Sequence, residues 1–341
     1  MKNQKSHKTV LLCAVVALVI ISGQVLAQPS SSRGPGRGLF GDWDLKIQFG
    51  EREMNSILSF SRNAEGELTA QLINFWGLSE LQDVKFEEGK LSFVQVVRFG
   101  DNEFTSTFAG TIEEGALTGM LSSDRGESKV EGKRSQRMPR VVGNWNVKYT
   151  VGERERTSTL VIKADKEGAL TADWQSERVQ NEITDLNYER GQLTFTRKSK
   201  MGDREWESTF EGRIERGTDN LSGMLKSDQG EIEVKGERIG APLIGTWKLE
   251  ITSERGTRAQ RLRVNGDLSA LYGTIRIKKV NLEDDKVSFK TVQQFGEQTF
   301  ETSFEGKLAE SKLTGELTTS RGTRKVVGQK VVRSFRRRST G

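Results

Sequence analysis

The chain has 341 residues, 53 Lys and Arg against 47 Asp and Glu, a formal net charge of +6, one His and one Cys. Both His7 and Cys13 fall within the first 27 residues, so a chain that loses that segment keeps neither. Such a chain has no disulfide, thiolate nucleophile, Cys or His metal site or imidazole acid–base catalyst, and stability comes from burial alone.

The first elements in chain order set the compartment. Lys2, Lys5, His7 and Lys8 form a basic leader, Val10 to Ile21 an apolar run, and Val25-Leu26-Ala27 a small-residue cleavage pattern. An apolar run this short, ending at such a site, predicts a signal peptide over 1–27 and an exported chain, in the periplasm, at the cell surface or outside the cell, with no transmembrane span after cleavage. The competing reading is an uncleaved anchor. Residues 28–38, with Gly34-Pro35-Gly36-Arg37-Gly38, read as a flexible linker. The excess positive charge sits at the ends, on Arg33 and Arg37 and in a basic tail over 333–341 that carries Arg333, Arg336, Arg337 and Arg338. No nucleic-acid surface is expected from a body whose charges are mixed.

From residue 39 the chain repeats. Gly41-Asp42-Trp43, Gly143-Asn144-Trp145 and Gly245-Thr246-Trp247 place the tryptophans 102 residues apart twice over. Leu81-Gln82-Asp83-Val84 returns as Ile183-Thr184-Asp185-Leu186, and then as Ile277-Lys278-Lys279-Val280 after only 94 residues, so the third copy has lost about eight residues in its first half. Phe104-x-x-x-Phe108-x-Gly110, Trp206-x-x-x-Phe210-x-Gly212 and Phe300-x-x-x-Phe304-x-Gly306 align, as do Leu117-Thr118-Gly119, Leu221-Ser222-Gly223 and Leu313-Thr314-Gly315. Within each copy apolar residues alternate with polar ones, as in Leu170-Thr171-Ala172-Asp173-Trp174, and turn signals recur about every 8–12 residues. The expected fold is all-β: three tandem small antiparallel up-and-down barrels of about eight strands, over 39–138, 139–240 and 241–332, closed so that neither edge is left free.

A unit that opens with Gly-x-Trp, runs as such a meander and ends on a basic residue resembles the calycin superfamily, which includes lipocalins, fatty-acid-binding proteins and avidins. The resemblance spans 39 to about 332 and extends to the short barrel modules that occur in tandem in exported bacterial proteins. It implies that the opening tryptophan packs at the closed end under the final basic residue: Trp43 with Arg134, Trp145 with Arg238, and Trp247 with Lys330. Typical lipocalins are longer, with a C-terminal helix and often disulfides, which this sequence lacks. Avidin ligand residues find no counterpart here, so biotin is not implied.

Trp174, Phe195, Trp206 and Phe210 predict aromatic inward faces in the second unit, where they either line a lumen or fill it. Arg197 is in phase with them, where the other copies have Gln95 and Thr291; it meets an acid headgroup or emerges at the rim. Trp76, in Asn74-Phe75-Trp76-Gly77, has no aromatic counterpart in the other copies and reads as a projecting anchor or as local packing. Glu205, Glu207 and Glu211 share the wet face of one strand, which makes a carboxylate hydrolase the third reading. The expectation is a protein that is not an enzyme and needs no cofactor or metal. Its leading role is binding and scaffolding of an envelope protein; the alternative is a carrier of a small apolar ligand. The arginine tail is expected to contact an anionic surface.

Overall fold

The structure is a computed structural model that describes residues 38–331, apart from 100–101, 216, 255 and 296–297. The expected signal peptide, the linker as far as residue 37 and the basic tail lie outside the described residues. All regular structure among the described residues is antiparallel β. In the first copy the strands are β1 (Gly41–Phe49), β2 (Arg52–Arg62), β3 (Leu68–Ile73), β4 (Leu78–Glu87), β5 (Lys90–Phe99), β6 (Asn102–Glu113), β7 (Ala116–Ser123) and β8 (Gly126–Arg134). They pair in chain order, and β8 returns to β1, which closes the barrel.

The second copy comprises β9 (Gly143–Val151), β10 (Arg154–Ala164), β11 (Leu170–Gln175), β12 (Gln180–Glu189), β13 (Gln192–Met201), β14 (Arg204–Ile214), β15 (Asn220–Ser227) and β16 (Gly230–Arg238). The third comprises β17 (Gly245–Ser253), β18 (Gly256–Val264), β19 (Ala270–Tyr272), β20 (Ile275–Ile277), β21 (Asn281–Glu283), β22 (Lys286–Phe295), β23 (Gln298–Ala309), β24 (Lys312–Thr319) and β25 (Gly322–Lys330). Here the expectation of full closure is corrected. The second sheet has no ladder between β11 and β12, and the third, with nine strands, has none between β20 and β21. In the third copy Ile275–Ile277 pairs with Ala270–Tyr272 as a short hairpin and lies beside β22 without a ladder to it.

Local chemistry explains the register. The two-residue turns Glu88-Gly89, Glu114-Gly115 and Arg190-Gly191 have positive φ at both positions, the type I′ geometry whose twist matches the flanking strands. Asp83 and Asp185, also at positive φ, sit where the β4–β5 and β12–β13 registers shift; their short polar side chains tolerate that conformation at a bulge.

The repeated Phe-x-Gly and Leu-x-Gly motifs meet across one ladder. Gly110 pairs with Gly119, Gly212 with Gly223, and Gly306 with Gly315. The phenylalanine two residues before the first glycine lies over each pair: a Cβ on Gly119 would stand 2.6 Å from the Phe108 ring. Each of these rings stacks on the inward phenylalanine of the preceding strand, Phe93–Phe108 and Phe195–Phe210 at 4.7 Å and Phe289–Phe304 at 5.1 Å between centroids. Glycine leaves a hollow in the wall and the aromatic ring fills it. The interiors are three separate packed clusters, one per copy.

Candidate functional site

At the closed end of each barrel the opening tryptophan is buried, and its indole Nε1 donates to the carbonyl four residues back: Trp43 to Leu39 at 2.9 Å, Trp145 to Val141 at 3.0 Å and Trp247 to Leu243 at 2.8 Å. The final basic residue is opposite it in register in all three copies. Arg238 lies 4.0 Å from the Trp145 ring, donates to the Arg140 and Val142 carbonyls at 2.5 Å each, and pairs with Asp219 at 2.9 Å. Burial pulls the Arg238 pKa down, and Asp219 partly offsets this. Lys330 stands 5.7 Å from Trp247 and donates to the Pro242 carbonyl. Arg134 is directed to the Gly38 and Phe40 carbonyls. The glycine of Gly-x-Trp has φ of 116°, 152° and 134° in the three copies, and a Cβ there would press on Arg137, Arg238 or Lys330. Both constraints select glycine.

The interior of the second barrel changes character along its axis. Trp174 meets Phe195 edge-on at 6.2 Å, and Phe195 stacks on Phe210; all three are fully buried. Above them lies a polar layer. Tyr149 bonds Ser158, Ser158 bonds Ser176, Asn181 donates to the Trp174 carbonyl, and Ser199 donates to Asn181. Arg197 belongs to this layer. It is 7% exposed, lies 4.7 Å from the Trp174 ring and donates through Nε to Ser208 at 3.3 Å. Burial lowers its pKa and Tyr149 beside it partly offsets that, but a guanidinium stays charged in a protein. Among the described residues it forms no ion pair. The buried Trp174 Nε1 also has no hydrogen-bond partner. A buried cation and a buried donor therefore face hydroxyls alone, an arrangement complementary to an anion or an acceptor. Trp206 is half-buried at the open end, opposite Ser199. Gln95 and Thr291, which align with Arg197, are buried too.

A joint between the first and third barrels leaves no mark in the alternation of their strands. Asp42, the middle residue of the first Gly-x-Trp, is only 8% exposed in its side chain and accepts from Arg261 Nη1 at 3.0 Å and Arg263 Nη1 at 2.8 Å. Ser59 Oγ adds a 2.7 Å hydrogen bond. Burial alone would push the Asp42 carboxyl up; Arg261, Ser59 and Arg263 together outweigh it and hold the pKa below its ordinary 3.8. Arg261 is also buried, and its Nε and Nη2 have no partner, so its charge depends on Asp42. The loop Asn74–Gly77 reaches the same barrel: Arg258 Nη1 donates to the Trp76 carbonyl at 2.6 Å, Gln260 to that of Asn74 at 3.0 Å, and Phe75 meets Phe300 at 6.4 Å. The Trp76 side chain itself is 59% exposed. Ile57 and Ile73, on the outer face of the first barrel, are buried. One signal was available: positions 42, 261 and 263 break the repeat, because their counterparts in register are Asn144 and Thr246, Ile57 and Thr159, and Ser59 and Val161.

Among the described residues no cluster of His, Cys, Asp and Glu is placed to hold a metal. No family model matches the chain, and no curated protein matches it. Among solved structures it is similar to a putative outer membrane protein from Bacteroides fragilis, at 12% identity, with 86% of this chain and 96% of that chain covered and a TM-score of 0.22. A DUF3598 protein of unknown function from Nostoc punctiforme aligns at 11% identity over 86% and 97%, TM-score 0.21. Transferrin binding protein B from Haemophilus parasuis, as a tryptophan mutant, aligns at 11% identity over 86% and 76%, TM-score 0.20.

Proposed function

We propose that the chain is an exported, non-catalytic binding and scaffolding protein whose three barrels act as one body. The observation that carries this reading is the joint between barrels distant in sequence: a carboxylate buried between two arginines, beside a loop of the first barrel bonded to the third. A joint of this kind fixes the relative placement of the first and third barrels, which a binding scaffold needs and independent modules on strings lack. Export rests on the leader over 1–27. The test is affinity isolation, with crosslinking, from the envelope of the source cell. A stoichiometric protein partner that binds the intact chain and is lost when the joint is broken by Asp42→Ala supports the reading. Equal capture by isolated barrels contradicts it.

A second reading is supported by one observation, the uncompensated Arg197 on Trp174 in the second barrel. It makes this interior a receptor for a small molecule with an apolar body and a carboxylate head. Native mass spectrometry of protein purified from its source, followed by organic extraction, separates the two. A stoichiometric acid that disappears in Arg197→Met supports the carrier; an empty protein with an intact partner supports the scaffold.

A further inference from the structure

The third copy departs from the other two in charge at four places along one seam. Aligned on Ile277 and Phe289, its Arg276, Lys278, Lys279 and Lys290 stand where the first copy has Glu80, Gln82, Asp83 and Val94. The second copy has Glu182, Thr184, Asp185 and Thr196 there. Two acids and two neutral residues thus give way to four cations, and none of the four forms an ion pair among the described residues. In the first two barrels two of these positions face each other, as Gln82↔Val94 and Thr184↔Thr196. In the third the same two positions are Lys278 and Lys290. Like charges directly opposite destabilise a strand pair, and here β20 lies beside β22 with no ladder between them.

All four cations line a groove of about 610 Å³, against the single carboxylate of Glu305. Four cations less one carboxylate leave a surplus of three positive charges. The volume is that of a small-molecule site, and with β20 already beside β22 no further strand has a place there. The lining also includes Thr291, which is 4% exposed and whose hydroxyl has no hydrogen-bond partner. A buried hydroxyl left unpaired costs free energy, which a ligand oxygen accepting its hydrogen bond recovers in part.

We infer that this groove binds a compact molecule bearing two or more phosphoryl or carboxyl groups. Its anionic groups bridge Arg276, Lys278 and Lys279 on one lip to Lys290 on the other, and one oxygen accepts from Thr291 Oγ1. Charge-assisted hydrogen bonds supply the affinity. The anion also screens Lys278 from Lys290, so binding tightens the seam. A molecule with a single acidic group reaches one lip only. The site goes beyond the scaffold reading and does not depend on it.

The test is calorimetric titration of pyrophosphate and of citrate into the full chain, with hydrogen exchange followed on β20 and β22. The expected result is one site per chain that weakens with salt and binds inorganic phosphate at least about tenfold more weakly. Pyrophosphate is expected to slow exchange at Ile275–Ile277 and at Thr291–Gln293. A variant that restores the second copy's residues, Arg276→Glu, Lys278→Thr, Lys279→Asp and Lys290→Thr, is expected to lose about tenfold or more in affinity. Those residues already occupy a folded barrel at the same positions. Thr291→Val, which keeps the shape of the side chain, is expected to weaken binding several-fold. Vesicles of phosphatidylcholine containing cardiolipin, whose headgroup carries two phosphates, separate the sources. Attachment lost in the four-residue variant assigns the ligand to a lipid headgroup; pyrophosphate binding without such attachment assigns it to a free molecule. No binding of either probe, equal affinity for inorganic phosphate, equal affinity in either variant, or unchanged exchange at β20 and β22 overturns the site and leaves the scaffold reading standing.

Discussion

Arg238 and Arg197 are both nearly buried arginines of the second barrel that lie over an indole, and they differ in what else they meet. Arg238 has two carbonyls and Asp219, so Arg238→Ala is expected to cost about 1.5–3 kcal/mol, the range of hydrogen bonds to charged groups. Trp145→Ala removes a fully buried ring and is expected to cost about 3–5 kcal/mol. Lys330→Ala, which loses a longer contact and one hydrogen bond, is expected to cost about 1 kcal/mol. Thermal or urea melts of the full chain check the order. Arg197 has no anion to meet, so Arg197→Met is expected to be neutral or to stabilise by about 1 kcal/mol, as replacement of buried charges by apolar groups often does. A marked loss of stability on that substitution would contradict the description of Arg197 as uncompensated.

The loop Asn74–Gly77 shows how an element can act through its backbone. Trp76 is the large side chain that draws attention in the sequence, yet its carbonyl is what Arg258 holds. Trp76→Ala is therefore expected to change stability by no more than about 0.5 kcal/mol, as exposed substitutions do. Gly77→Ala is expected to undock the loop, because a Cβ there would stand 2.9 Å from the Ala259 carbonyl oxygen of the third barrel. Hydrogen exchange at the end of β18 that holds Arg258 and Gln260 reads the difference: faster in Gly77→Ala, unchanged in Trp76→Ala.

The first and third barrels are coupled through Asp42. Its folded pKa is below 3.8, so the stabilisation from its ionised form is fully present above 3.8 and is lost as pH falls through the folded value. Acidification through that window is expected to separate the first and third barrels, seen as an increase in radius by small-angle scattering while each barrel keeps its far-ultraviolet signature. Asp42→Asn removes this acid step. Asp42→Ala leaves Arg261 buried without its carboxylate and is expected to cost about 3–5 kcal/mol. It should also split a shared calorimetric transition into separate ones, since the barrels then unfold independently. A single unsplit transition in that variant would mean that the coupling lies elsewhere.

The three copies, their all-β class and the face each strand buries were legible in the residues alone. Period-two alternation follows from backbone geometry, and glycine turns and Phe-over-Gly pairs act over a few residues or one ladder. Repetition in register made those local signals visible three times. Which outward residues meet another barrel, and which ladders stay unformed, emerged from the packed chain. An outward Asp42, Arg261 or Arg263 has the same alternation whether it faces water or a second barrel, because that pattern records one face of one sheet and not what docks on its back. The loss of about eight residues in the third copy was legible as a number. Where that loss falls, in a hairpin whose strands β19 and β20 keep three residues each, and which ladder beside β22 stays unformed depend on hydrogen-bond partners far apart in the chain.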